Sequence, residues 1–77
     1  MQVNVILFGL LKELAGSSNI VLENIADTQT LVAAMHKKFP AMVNKKFIIA
    51  VDRQVVTTNT ALNNNSTVAF MPPFSGG

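Results

Sequence analysis

A single segment of this chain has the spacing of an amphipathic helix long enough to cover a sheet, and the rest must be arranged around it. Leu31, Ala34 and Met35 recur at helical intervals, with Val32 and Phe39 flanking that apolar face. Asp27 or Thr28 supplies the N-cap, because a short side-chain oxygen there accepts from the first free amides of the helix. Phe39-Pro40 ends the segment, since proline disfavours helical geometry at the residue before it. Burying Leu31, Met35 and Phe39 stabilises a domain by roughly 1.5–3 kcal/mol each before chain entropy is counted. His36 falls on the opposite, polar side. Without cysteine or acidic neighbours, it reads as a solvent-facing helix residue rather than a ligand.

On either side of this helix the apolar pattern has period two. Gln2 to Phe8 reads as a strand, with Val3, Val5 and Leu7 on one face and Ile6 and Phe8 on the other. Apolar residues on both faces from Val5 onward predict a central strand covered on both sides. Leu10 to Ala15 makes a short helical turn that Gly16 ends. Ser17-Ser18-Asn19 turns the chain, and Ile20, Leu22 and Ile25 mark a second strand, antiparallel to the first.

Beyond the helix, Phe47 to Val51 is a continuous apolar run suited to a buried strand. Asp52-Arg53-Gln54 is its turn and Val55-Val56-Thr57 a short return. Asn63-Asn64-Asn65 turns again, because asparagine tolerates left-handed geometry and bonds its own backbone. Ser66 to Met71 is the last strand, with Val68 and Phe70 on one face and Ala69 and Met71 on the other. Strand, strand, helix, strand, short strand, strand, with one covering helix, predicts an α+β fold whose mixed sheet wraps around that helix. Pairing the first and last strands in parallel at its centre gives the β-grasp, or ubiquitin-like, arrangement. Residues 1–71 are expected to form this domain and residues 72–77 an extended tail, because Pro72-Pro73 cannot donate ladder hydrogen bonds.

Composition narrows the chemistry. The 77 residues include no cysteine, one histidine and four acidic side chains, so disulfides and thiolate metal sites are excluded. No nucleophile–base pair or paired-carboxylate constellation is visible either, and a stand-alone enzyme is the least favoured class. The chain is 49% apolar and 13% charged. A core this small cannot absorb that surplus, so part of it is expected outside as an apolar patch marking a partner surface. A formal charge of +2, with no aromatic residues interleaved among the lysines, argues against nucleic acid. No run approaches the length of a membrane span, and the apolar start lacks a basic leader, so a soluble cytoplasmic protein is the simplest reading.

The reactive group that remains is the carboxylate at the end of Met71-Pro72-Pro73-Phe74-Ser75-Gly76-Gly77. Glycine places no Cβ beside it, so a partner can approach the Gly77 carbonyl closely, and the tail fits a narrow pocket. Extended, Pro72 to Gly77 reaches roughly 20 Å. A free carboxylate resists nucleophiles and needs activation as a mixed anhydride. The four glycines here, Gly9, Gly16, Gly76 and Gly77, match no phosphate-binding loop, so ATP must be used by a separate enzyme.

Phe8-Gly9-x-x-Lys12-Glu13-Leu14-Ala15-Gly16, Ile49-Ala50-Val51-Asp52 and Val68 to Gly77 together resemble the sulfur-carrier (small) subunit of molybdopterin synthase. The resemblance spans essentially the whole chain, and Pro-Pro-x-x-Gly-Gly after an apolar strand is its most specific part. Two positions depart from it: Asn63-Asn64-Asn65 replaces an acidic turn, and Asp52 stands where asparagine is usual. The resemblance implies a ubiquitin-related sulfur carrier for molybdenum cofactor synthesis that binds no cofactor itself. Gly77 would be adenylated by an E1-like enzyme, converted to a thiocarboxylate through a sulfur donor protein, and inserted into a large synthase subunit within a heterotetramer. Pro72, Pro73, Phe74, Ser75 and Gly76 would form the inserted tail. Phe8, Val55, Phe70 and Met71, with Lys12 at the rim, would form the docking face. Carriers for thiamin or other thiolated products, and ubiquitin-like modifiers, share the Gly-Gly ending. The first of these usually lack Pro-Pro.

Overall fold

The alternation along the first strand is realised in the computed structural model, which describes residues 2–73. Val3, Val5 and Leu7 are buried along β1 (Gln2–Leu7), while Gln2, Asn4 and Ile6 are half-covered. A short helix, α1 (Gly9–Ala15), follows and buries Leu11; it ends on Gly16 in the left-handed conformation (φ 77°). Next come β2 (Asn19–Glu23), the main helix α2 (Thr28–Lys38), a 3-10 turn at Pro40–Met42, β3 (Ile48–Val51), β4 (Gln54–Val56) and β5 (Ser66–Met71).

The five strands form one mixed sheet in the order β2-β1-β5-β3-β4. β1 and β5 are parallel neighbours at its centre, with Val5 beside Val68 and Leu7 beside Phe70. The other pairs are antiparallel. This is the expected β-grasp. Val3, Val5, Leu7, Val68 and Phe70 share a core with Leu31 and Met35 of α2, all seven essentially without solvent contact. The core is closed by Met42, also fully buried, in the 3-10 turn after Phe39-Pro40. Sequence reasoning read proline there only as a stop. It also starts that turn, since a ring with fixed φ suits the first helical position.

Three expectations are corrected. β1 is central but covered by α2 on one face only, and Ile6 and Phe8 lie on the open face. Apolar residues on both sides of a strand do not reveal whether the chain's own helices cover the second side. His36 is half-buried rather than solvent-facing: its ring meets Phe47 edge-on at 6.2 Å, and its Nε2 is enclosed with no hydrogen-bond partner. Phe47, just ahead of β3, folds back over the helix and also stacks on Phe70, with centroids 4.9 Å apart. The asparagine turn has Asn65 left-handed as expected (φ 69°), but the Asn64 side chain accepts from the Gln2 amide at 2.8 Å and so anchors β1.

The Asp27 carboxylate caps α2 by accepting from the Thr30 amide at 2.8 Å. Asn59, in the loop after β4, accepts from the Gln29 amide at 2.8 Å and donates to Asp27 at 3.3 Å. The Thr28 amide donates to the Thr60 carbonyl, and the Thr60 amide donates back to the Thr28 hydroxyl, both at 2.9 Å. One loop thus ties the start of the helix to the far side of the sheet.

Candidate functional site

Strand alternation and register define the open sheet face. Ile6, Ala69, Ala50 and Val55 lie in one cross-strand row, and Val21, Asn4 and Thr67 in another. Phe8, Met71 and Ile48 occupy the end of the face from which β5 leaves the sheet. Phe8 is 47%, Val21 54% and Val55 62% exposed, a large apolar surface for so small a chain. Between Phe8 and the β3–β4 turn the face is concave, about 410 Å³, because Ala50 and Ala69 present only methyl groups across its middle. This is the patch that the apolar surplus requires.

The rim beside the concavity is built by that turn. Asp52 and Arg53 both hold positive φ, 46° and 76°, which is the two-residue geometry that matches the twist of a tight hairpin. Gln54 already belongs to the ladder, paired with Val51, so the turn is shorter than the three residues expected. Asp52 is locked onto β5: its amide donates to the Thr67 carbonyl at 2.8 Å, and its carboxylate accepts from the Thr67 amide at 2.9 Å. Aspartate thus performs a structural task at the position where the resemblance leads one to expect asparagine.

Of the docking residues expected from sequence, strand register places Phe8, Val55 and Met71 on this face, but only Phe8 lines the concavity, and Val55 also lines the groove between α2 and β3–β4. Lys12 is exposed on α1, outside the residues that line the concavity. Phe70 is corrected. It is fully buried, because it shares the α2-facing side of β5 with Val68 and packs on Phe47. Ile6, Val21, Ala50 and Ala69 were missed; they become one surface only through pairing between distant strands. β5 ends at Met71, one residue before Pro72, and both prolines are exposed outside the ladder. The Phe8 amide donates to the Phe70 carbonyl at 3.1 Å, which carries the β1–β5 pairing to the edge of the sheet. The expected roles of Phe74, Ser75, Gly76 and Gly77 lie outside the described residues.

Among the described residues, the only ionisable side chains lining the concavity are Asp52 and Arg53. Among the described residues no three histidine, aspartate or glutamate side chains converge as a metal site requires. A second groove, about 610 Å³, lies between α2 and β3–β4, lined by residues such as Val32, Phe47, Ile49 and Val56 with threonines at its margin. No ionisable side chain lines this groove among the described residues. What this molecule offers is an exposed, partly concave apolar surface beside the place where β5 ends. No helix of the described residues is long and apolar enough to cross a membrane.

A β-grasp domain with an unpartnered apolar sheet face beside the end of its last strand is a ubiquitin-like protein. More narrowly, residues 5–77 match the ThiS family, and the chain belongs to it. The chain is thus a small ThiS-family protein with a ubiquitin-like fold. Its fold is similar to the putative molybdopterin converting factor subunit 1 of Pyrococcus furiosus (TM-score 0.90, 21% identity, 96% of this chain and 99% of that one). It is similar as well to the small archaeal modifier protein 1 of Methanosarcina acetivorans (TM-score 0.83, 21% identity, 99% and 96%). A chain of the complex of subunits 1 and 2 of the molybdopterin-converting factor from Helicobacter pylori matches at TM-score 0.75 and 24% identity, with both chains fully covered.

Proposed function

We propose that this protein carries sulfur for molybdopterin synthesis as a thiocarboxylate on Gly77. The observation that carries the reading is the conjunction of the open apolar face with Pro72-Pro73 directly after β5, in a chain of the ThiS family. A cytoplasmic E1-like enzyme uses ATP to join AMP to the Gly77 carboxylate and releases pyrophosphate. The terminal sulfur of a donor persulfide attacks that carbonyl and AMP leaves. A thiol then reduces the resulting acyl disulfide, freeing the thiocarboxylate. Within the large synthase subunit, which supplies the catalytic residues, its ionised sulfur bonds to a carbon of a cyclic pterin precursor in place of an oxygen substituent. Water then cleaves the acyl–sulfur bond, leaving the sulfur on the pterin and restoring the Gly77 carboxylate. The open face docks on that subunit, and the two prolines stiffen the tail, lowering the ordering cost of insertion.

The test is intact mass spectrometry after incubation with ATP, the adenylating enzyme and a sulfur donor. Exchange of one oxygen for sulfur supports the carrier, and removal of Gly77 abolishes it without loss of the fold. A truncated chain that still supplies sulfur overturns the reading. The modifiers among the structural relatives support a second one, in which the same adenylate passes to protein lysines. Adducts of whole-protein mass in place of sulfur exchange would establish it. A thiamin-type carrier is distinguished by which acceptor receives the sulfur.

A further inference from the structure

Gly9 opens α1 at φ +58°, and a Cβ added there would sit 2.8 Å from Pro72 Cγ and 3.6 Å from Pro72 Cδ. The first distance is shorter than side-chain carbons tolerate. The obstacle is also unusually stiff. A flexible side chain would rotate away, but the proline ring is closed onto its own backbone and its φ is fixed. Ahead of it, Met71 is held in register with Ile48, and the Phe70 carbonyl accepts from the Phe8 amide at 3.1 Å. Relief of the clash therefore has to move backbone rather than rotate a side chain, and on one side of it that backbone is Pro72, the residue at which the chain leaves β5.

We propose that Gly9 is a positioning residue for the tail: its bare Cα forms the seat on which the Pro72 ring rests, and that seat sets the direction in which the chain departs from the sheet. The proposal rests on the carrier reading, since an exit direction matters only if the residues after Pro72 must reach a partner's pocket. Gly16 is an internal control. It shares the left-handed conformation (φ +77°), yet a Cβ added there meets nothing within 4 Å. Gly16→Ala thus carries the same kind of backbone strain without the collision.

The experiment uses the full chain with the adenylating enzyme of its source organism, read by ATP–pyrophosphate exchange, alongside NMR of the labelled protein. In the wild type, a nuclear Overhauser contact links the Gly9 Hα protons to Pro72 Hγ. Gly9→Ala loses the Gly9–Pro72 contact while amide shifts of Val5, Leu31 and Val68 stay in place, and kcat/KM for exchange falls at least about tenfold, within the roughly hundredfold that a misplacement of about an ångström can cost. Gly16→Ala leaves exchange unchanged. In a Pro72→Ala background, where Cγ is gone, adding Gly9→Ala costs less than about twofold. Equal losses from Gly9→Ala in both backgrounds, or a Pro72 ring still seated in Gly9→Ala, overturn the role given to Gly9. A wild-type chain inert in exchange overturns the carrier reading on which that role rests.

Discussion

Arg53 holds a φ of 76° in the β3–β4 turn, where a side chain with a Cβ is strained and glycine is not. Arg53→Gly removes that strain but loosens the unfolded chain, so its expected net gain is modest, about 0.5–1 kcal/mol. Thermal unfolding checks it, with Tm rising by roughly 2–8 °C in a domain of this size. A second residue-scale comparison separates core from surface. Phe70 is fully buried on Phe47, so Phe70→Ala should remove about 3–5 kcal/mol, much of what a small domain has. Phe8 projects on the open face, and Phe8→Ala should change stability by no more than about 0.5 kcal/mol. Denaturant titration of the two variants reads this difference directly; similar losses would mean that Phe8 is part of the core.

At the scale of elements, the lash between the start of α2 and the loop after β4 should matter more than its exposure suggests. Asn59→Ala removes bonds to Gln29, Thr28 and Asp27, and the expected loss is about 1–2 kcal/mol by denaturant titration. Hydrogen bonding from Thr30, then from Asn59, holds the Asp27 carboxyl below its ordinary pKa. A depressed carboxylate stabilises the fold above its unfolded pKa, about 3.9, and that contribution disappears as pH falls through the lower folded value. Asp27→Asn keeps a capping oxygen but cannot titrate there. Its Tm should fall below the wild type's at pH 6, and the gap should narrow as pH drops below about 4; a gap that stays constant to pH 2 would contradict the assignment. The elements themselves were legible because their signals are local: the spacing of Leu31 and Met35, the stop at Phe39-Pro40, the alternation of Val3, Val5 and Leu7. Asn59 and Met42 were not, since their partners lie far along the chain. The site divided the same way. Phe8, Val55 and Met71 could be picked out as apolar residues near strand ends, but the side on which Phe70 lies depends on which face α2 covers.

For the molecule as a whole, the main helix covers one face of a five-stranded sheet. Phe8, Val21 and Val55, three of the five large exposed apolar residues among those described, lie on the other face, with Leu10 and Val43 elsewhere. On the proposed function, docking through that other face is an apolar event with a charged margin at Asp52 and Arg53. On the same reading, Phe8→Asp at the end of the face and Val55→Asp on its edge strand each place a charge on an exposed apolar position and should weaken binding to the large synthase subunit at least about tenfold, with Tm little changed. Isothermal titration calorimetry of the complex measures this. The same data discriminate between surfaces, because burying apolar area gives a negative heat-capacity change. Salt acts strongly only where exposed charges carry the attraction. The lysines Lys37, Lys38, Lys45 and Lys46 lie instead at the end of α2 and in the loop before β3. An affinity that varies little with salt, with a clearly negative heat-capacity change, places the contact on the open face. A steep fall in affinity with salt, coupled to insensitivity at Phe8 and Val55, would move it to those lysines and leave the apolar surface without its assigned use.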